Sequence, residues 1–326
     1  MLGNDLLTPY TQHLTPIFIM LKILAMSCVL LATITGGMAD EVPEGGKRLD
    51  AFAVDKETTL EQVLEKTNRY LATTKPRLRL DDYVAILEEL KDTSRYQVVT
   101  AGEFAKTQTP DKVLVFLRHD VDGAPETALR MAREENKRGM KGSYFFRPTA
   151  VYYGQREAHR IVRYASMDEH YRKIQALGAE IGVHTDLLHM KITMDIDPLA
   201  FQKEELKYWR DNGFPIVGSV SNGDALLRQL GVNNMWTFSE FGKKGFVDYK
   251  GKRYTYGDHS VSDFGFEYEA YRITQNKHIS DIGLTYKNGA DFVAAFRQFK
   301  PGDRVSFLSH PMWWRADEIE NKPTAP

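Results

Sequence analysis

Residues Val113 to Gly123 read Val-Leu-Val-Phe-Leu-Arg-His-Asp-Val-Asp-Gly, an apolar run that turns abruptly into ionisable groups. Val113 to Leu117 have the length and composition of a strand buried on both faces. Arg118, His119, Asp120 and Asp122 follow, and Gly123 permits a turn. Buried parallel strands of α/β proteins are apolar along their length and carry chemistry at their carboxyl ends. Asp120 and Asp122 are two apart, so a continuing strand points both carboxylates to one side. Carboxylates crowded together invite a cation or a shared proton. The competing reading is a surface turn with two solvated acids, and the rest of the chain must decide between them.

Beyond this stretch, strand and helix patterns alternate. Helices are expected over Thr58–Leu71, Leu80–Leu90, Pro125–Arg138, Ser166–Gly178, Asp197–Asn212, Asp224–Leu230 and Ala290–Phe299. Ser166 with Glu169 reads as a capping box, and Asp197-Pro198 as an N-cap followed by a first-turn proline. Strands are expected over Tyr96–Thr100, Gly142–Phe146, Ala179–Val183, Ile216–Val220, Arg253–Tyr256, His278–Ile282 and Val305–Ser309. Residues 40–57 read as a polar linker and 147–165 as an inserted loop. The alternation argues for parallel β-structure with helical crossovers. There is no GxGxxG, no phosphate-binding Gly-Lys-Ser/Thr and no GxSxG, so nucleotide and serine-hydrolase readings lack their anchors.

The 326-residue chain has a formal charge of −1 and no basic, aromatic-interleaved strip, which argues against a nucleic-acid partner. Lys22, the apolar stretch Ile23–Ile34 and the small residues ending at Ala39 have the layout of a secretory signal peptide, with Met20 an alternative start. That apolar stretch falls short of the ~20 residues of a spanning helix, although an uncleaved membrane anchor is the competing reading. The expected location is therefore secreted or periplasmic. Cleavage after Ala39 removes Cys28, the one cysteine, and with it disulfide and thiolate chemistry.

Three expected strands end in unusual polar residues: Arg118-His119-Asp120-Val121-Asp122, His184-Thr185-Asp186-Leu187-Leu188-His189, and Ser309-His310-Pro311. In a closed parallel barrel these ends gather on one face. Asp and His converging there suit a divalent cation such as zinc, with one position left for water.

These segments resemble the polysaccharide deacetylases, the NodB-like carbohydrate esterases, and most closely their Arg-His-Asp-Val-Asp branch. The resemblance spans roughly residues 80–316. It rests on Leu117–Gly123, Gly142–Arg147, Glu180–Thr185, His278–Asp281 and Phe307–Pro311. It divides the chain into a signal region (1–39), a linker and amino-terminal helix (40–79), one catalytic domain (80–316) and a tail (317–326). It implies a distorted (β/α) barrel that removes acyl groups, acetyl foremost, from amino sugars of a polysaccharide or cell-surface glycan. By position Asp122, His184 and His189 match the metal ligands, Asp120 the catalytic base, and His310 the catalytic acid tuned by Asp281.

Three departures from the family pattern stand out. His189 is five residues after His184 where the family has four, an offset of about 140° on a regular helix; Asp186 is the alternative third ligand. Val121 separates the two aspartates, which the commoner pattern places side by side. The arginine of the third motif is missing from Gly218–Gly223, and Arg118 is the candidate to hold Asp120 instead. Tyr152, Tyr153, Trp236, Trp313 and Trp314 are candidates for a sugar-binding groove; core packing is the better account of most, with Trp313 and Trp314 the favoured exceptions. Two other functions remain open: a glycan-binding relative without catalysis, and a glycosidase on a similar barrel.

Overall fold

The computed structural model describes residues 51–74, 77–283 and 285–314. The expected signal region, most of the linker, Cys28 and the carboxyl-terminal tail lie outside the described residues. In chain order the elements are β1 (Phe52–Asp55), α1 (Leu60–Leu71), α2 (Leu80–Leu90), β2 (Tyr96–Val99), α3 (Ala101–Lys106), β3 (Val113–Val121) and α4 (Pro125–Asn136). Next come β4 (Ser143–Phe146), β5 (Gly154–Arg156), β6 (Ile161–Tyr164), α5 (Met167–Ala176), β7 (Glu180–Thr185), α6 (Leu187–Met194), α7 (Pro198–Asp211) and β8 (Gly218–Ser221). The last are α8 (Ala225–Gln229), β9 (Gly245–Tyr249), β10 (Lys252–Tyr256), β11 (Tyr268–Glu269), β12 (Lys277–Ser280), α9 (Gly289–Phe296) and β13 (Arg304–Ser309).

Strand β3 continues through the ionisable cluster, and all nine of its residues are buried. It sits within an all-parallel sheet in the order β11-β8-β7-β4-β3-β13-β12. Along its other edge β3 pairs first with β2, Val113 to Phe116, and then with β4, Arg118 to Val121. Its two faces go to different cores. Val113, Val115, Leu117 and Val121 join the large core that also holds residues of α2, α4 and α9. Leu114 and Phe116 join a smaller cluster with Phe104, Phe145, Val220, Ala270 and Ile273. The sheet therefore curls into half a barrel, with the smaller cluster filling the amino-terminal end of its concave side. Among the described residues no strand pairing closes the sheet between β11 and β12.

Register carries this concave face around the sheet. Asp120 is level with Phe145, Phe145 with Gly182, and His184 with Val220. Leu308 is level with Arg118 and Ser309 with His119, so His310 follows next to Asp120. Gly182 keeps the trough open for aromatic packing: a Cβ there would lie 2.5 Å from the Phe145 ring.

Some expectations are corrected. Part of the expected linker forms β1, which pairs in parallel with β6 and buries Phe52. The expected loop at 147–165 contains β5 and β6, completing a three-stranded sheet with β1. Short half-buried strands have too little apolar periodicity to announce themselves. Helix α5 begins after Ser166, but no capping box forms, because the Ser166 backbone is already helical at φ −59° and an N-cap side chain reaches back only from extended backbone. Asp197 does cap α7, accepting from the Leu199 and Ala200 N–H groups. The left-handed residue after β3 is Ala124, at φ 51°, rather than Gly123. Among the described residues no helix is long and apolar enough to cross a membrane.

Replacing Phe116 with Ala would open a cavity at the closed end of the trough. The expected cost is about 3–5 kcal/mol, read as a lower denaturation midpoint at unchanged slope.

Candidate active site

Beyond the apolar cluster the concave face becomes polar. Arg118, on the middle of β3, is buried and grips Asp120 with both arms of its guanidinium: Nε donates to Oδ1 at 2.8 Å and Nη2 to Oδ2 at 2.6 Å. Burial disfavours charge on Asp120, but Arg118, helped by His184 and His310, holds this carboxyl well below the usual range. Arg118 thus holds the carboxylate two residues after it.

His184, at the end of β7, donates from Nδ1 to the Val220 carbonyl at 3.1 Å. That bond fixes the tautomer and leaves the Nε2 lone pair facing the aspartates. Nε2 lies 3.5 Å from Asp122 Oδ1 and 3.7 Å from Asp120 Oδ2. Asp122 keeps 21% of its side chain exposed, against 3% for Asp120 and 2% for His184, so the site opens to solvent at Asp122.

His310, immediately after β13, forms the opposite wall. Its Nδ1 is 2.7 Å from Asp281 Oδ1, and its backbone N–H donates to Oδ2 at 2.6 Å. The Trp314 indole N–H donates to the same Oδ2 at 2.7 Å. Burial works against a charge on His310, but Asp281, assisted by Asp120 and Asp122, pushes its pKa up to about 9. With Nδ1 committed to Asp281, Nε2 is the nitrogen able to deliver a proton.

The two candidates for a third ligand are occupied by other groups. Asp186 is fully buried. Oδ2 accepts from Arg147 Nε at 2.6 Å and from the Thr149 hydroxyl, while Oδ1 accepts from Asn222 at 2.6 Å and Asn234 at 3.2 Å. His189 is the third residue of α6, and its Nδ1 lies 3.2 Å from Asp224 Oδ2. The intervening residues leave the strand at Thr185 and re-enter helix at Leu187, so a single helical spacing does not relate His184 to His189. Arg147 Nη1 reaches Asp122 Oδ1 at 3.2 Å, bridging the two aspartates.

The His184 imidazole and the two carboxylates are donor types that a divalent cation takes. A tetrahedron with bonds of about 2.1 Å has edges of roughly 3.4 Å, close to the separations of His184 Nε2 from the two carboxylates. Asp122 and His184 would hold the ion, with Asp120 alongside. Among the described residues no cluster of three or more His, Cys, Asp or Glu side chains has metal-holding geometry, and His189 is paired elsewhere.

The aromatic expectations are corrected in part. Trp314, Tyr152 and Tyr153 are fully buried. Tyr152 donates to the Val121 carbonyl and Tyr153 to Glu205, so both pack as core residues with a bonded hydroxyl. Trp314 serves the site from behind, through Asp281. Trp313 is half-buried, with the Arg77 guanidinium 4.3 Å from its ring centre, and Trp236 lies against Tyr256.

Sequence reasoning assigns no role to Arg147, Asn222, Glu269 or Tyr271, although Arg147 and Asn222 fall within the motif stretches. Arg147 and Asn222 each follow a strand directly, so the rule that found Asp120 also covers them. Glu269 is buried and accepts from the Ser221 and Tyr271 N–H groups; burial pushes its pKa up to about 7. On the opposite face of β3, His119 bonds Ser309 and Glu135, both at 2.7 Å, tying β13 and α4 to the back of the site.

Compared with known proteins, the chain matches no family model, no curated protein and no solved structure.

The folded-state pKa of His310 lies above its unfolded value of about 6.5. Its charged pair with Asp281 therefore stabilises the fold fully below about pH 6.5 and is lost as pH rises through about 9. An NMR titration should place His310 near 9, and Asp281→Asn should bring the midpoint down by at least one unit.

Proposed function

We propose that this chain is a metal-dependent hydrolase that removes acyl groups, acetyl foremost, from amino sugars of a polysaccharide or cell-surface glycan. The observation that carries the reading is the pairing of two opposed devices on one concave face. A carboxylate and imidazole pair, Asp122 with His184, stands beside the Arg118-clamped Asp120, and the Asp281-backed His310 faces it. The curled parallel sheet is consistent with a distorted (β/α) barrel of the polysaccharide deacetylase type. The motif resemblance suggests the substrate class, and the expected signal peptide supports a location outside the cytoplasm.

A divalent cation, zinc by preference, held by Asp122 and His184 would supply a water acidic enough to lose a proton near neutral pH. Asp120 accepts that proton. Arg118 keeps this carboxylate ionised and so able to accept a proton. The water oxygen, relieved of its proton by Asp120, would bond to the acyl carbon as the carbonyl π electrons move to oxygen. As the C–N bond breaks, its electron pair stays on nitrogen, and His310 Nε2 gives that nitrogen its proton. Asp281 balances the imidazolium beforehand and fixes the ring. The products are a free amino sugar and a carboxylate.

One observation favours the second reading, a glycan-binding relative without catalysis. Arg147 already places a positive charge on Asp122. Zinc titration and acetate release from N-acetylated chito-oligosaccharides separate the two. The hydrolase should bind one zinc per chain, with Asp122→Ala and His184→Ala each losing it. His310→Ala should keep the metal and lose about 10²–10⁴ in kcat. Sugar binding with neither stoichiometric zinc nor acetate release would establish the binding relative instead. Release that survives chelation would point to a different hydrolase.

A further inference from the structure

Tyr271 belongs to none of the motifs, yet it is built into the reacting end of the trough. It lies in the single turn of 3₁₀ helix, Ala270–Arg272, on the unpaired side of the sheet between β11 and β12. Three contacts hold it. Its backbone N–H donates to the buried Glu269 carboxylate at 2.9 Å. Its ring lies against the Arg118 guanidinium, 4.3 Å from centre to centre. Its phenol oxygen accepts from Arg118 Nη2 at 2.9 Å, the same nitrogen that donates to Asp120 Oδ2 at 2.6 Å.

This arrangement determines what the hydroxyl has left to give. A phenol has one proton and accepts through its oxygen lone pairs. With Arg118 donating to the oxygen, the proton points away from the guanidinium, and among the described residues no acceptor takes it. Donation by a cation also strengthens the phenol as a donor, because hydrogen bonds in a chain polarise one another. Burial and the nearby Asp120 push its pKa up, so the proton stays on oxygen across the working range. The residue is 40% exposed, so a ligand can reach it from solvent.

We infer that Tyr271 is a catalytic residue whose hydroxyl donates a hydrogen bond to the acyl oxygen as that oxygen becomes negative. The inference rests on the proposed amide hydrolysis. The phenol shares Arg118 Nη2 with Asp120, so it lies beside the carboxylate that receives the water proton. On this inference the carbonyl attacked by that water lies within reach of the hydroxyl. The proton stays on Tyr271 throughout: the hydrogen bond shortens as charge builds on the acyl oxygen and relaxes when the C–N bond breaks. A donor placed where charge develops accelerates the chemical step without tightening ground-state binding.

The test compares the zinc-loaded parent protein with Tyr271→Phe, which keeps the ring and its stack on Arg118 and removes only the hydroxyl. Two ligands are titrated by calorimetry: an N-acetyl amino-sugar oligomer, and the same oligomer with a methylphosphonamidate in place of the acetamide as a tetrahedral anionic mimic. The parent should prefer the mimic. Tyr271→Phe should lose about 10²-fold of mimic affinity, keep N-acetyl affinity within twofold, and lower kcat by about 10²–10³ at unchanged KM. Tyr271→His, which returns an N–H donor, should recover part of the preference. Equal mimic affinity in parent and Tyr271→Phe would overturn the inference even if hydrolysis is confirmed. Equal losses for both ligands would also overturn it, because a disturbed site weakens both. A hydroxyl-dependent mimic preference in a protein that releases no acetate would sink the hydrolase and with it the catalytic role of Tyr271, leaving its hydroxyl as an anion-binding donor only.

Discussion

The buried pair of Arg118 and Asp120 is the interaction on which the site depends. Both groups sit inside a curled sheet, where an unpaired charge is costly, and each neutralises the other through two hydrogen bonds. Removing one partner of such a pair costs about 3–5 kcal/mol, much of it the stranded charge of the other. The pair also marks a boundary along β3. Below it, Leu114 and Phe116 turn apolar side chains into the trough; above it, the next inward residue of β3 is Asp120. Arg118 thus acts as a floor, with the candidate chemistry standing on it and Tyr271 leaning against it.

Around this floor the aspartates divide their work according to their partners. Asp120 is held by Arg118 and kept ionised. Asp281 is held by the His310 backbone and the Trp314 indole, and spends its charge on an imidazole. Asp186 is surrounded by Arg147, Thr149, Asn222 and Asn234, which together pin the ends of β4, β7 and β8 to the turn near residue 234. Asp122 alone among them keeps appreciable exposure. Four chemically identical side chains thus have four different environments, and only the exposed one is available to an exchangeable partner.

Much of the architecture was legible because the chain advertises it. The apolar run before Arg118 and the histidines at the ends of β7 and β13 stand out against their surroundings, and the strand–helix alternation foretells the parallel sheet. Less legible was whatever depends on partners distant in sequence. The saturation of Asp186 uses residues 147, 149, 222 and 234, and no local pattern near 186 announces them. Trp314 looked like a groove residue because it follows His310, but its burial depends on Tyr83, Phe292 and Phe307 closing over it. Tyr271 gave no signal, since its link to the site runs through Arg118, more than 150 residues earlier. Strand β1 reads as linker in the sequence because it forms only against β6, more than 100 residues later.

The pairing of Ser309 with His119 has one more consequence. Asp120 and His310 follow this pair on neighbouring strand ends, so their separation is set by the inter-strand spacing of about 4.8 Å. The main-chain ladder acts as a ruler between the two groups, and side-chain substitutions elsewhere cannot easily stretch it. The loops that follow β3 and β13 are then free to diverge, reshaping what is admitted while the distance between the working groups stays the same.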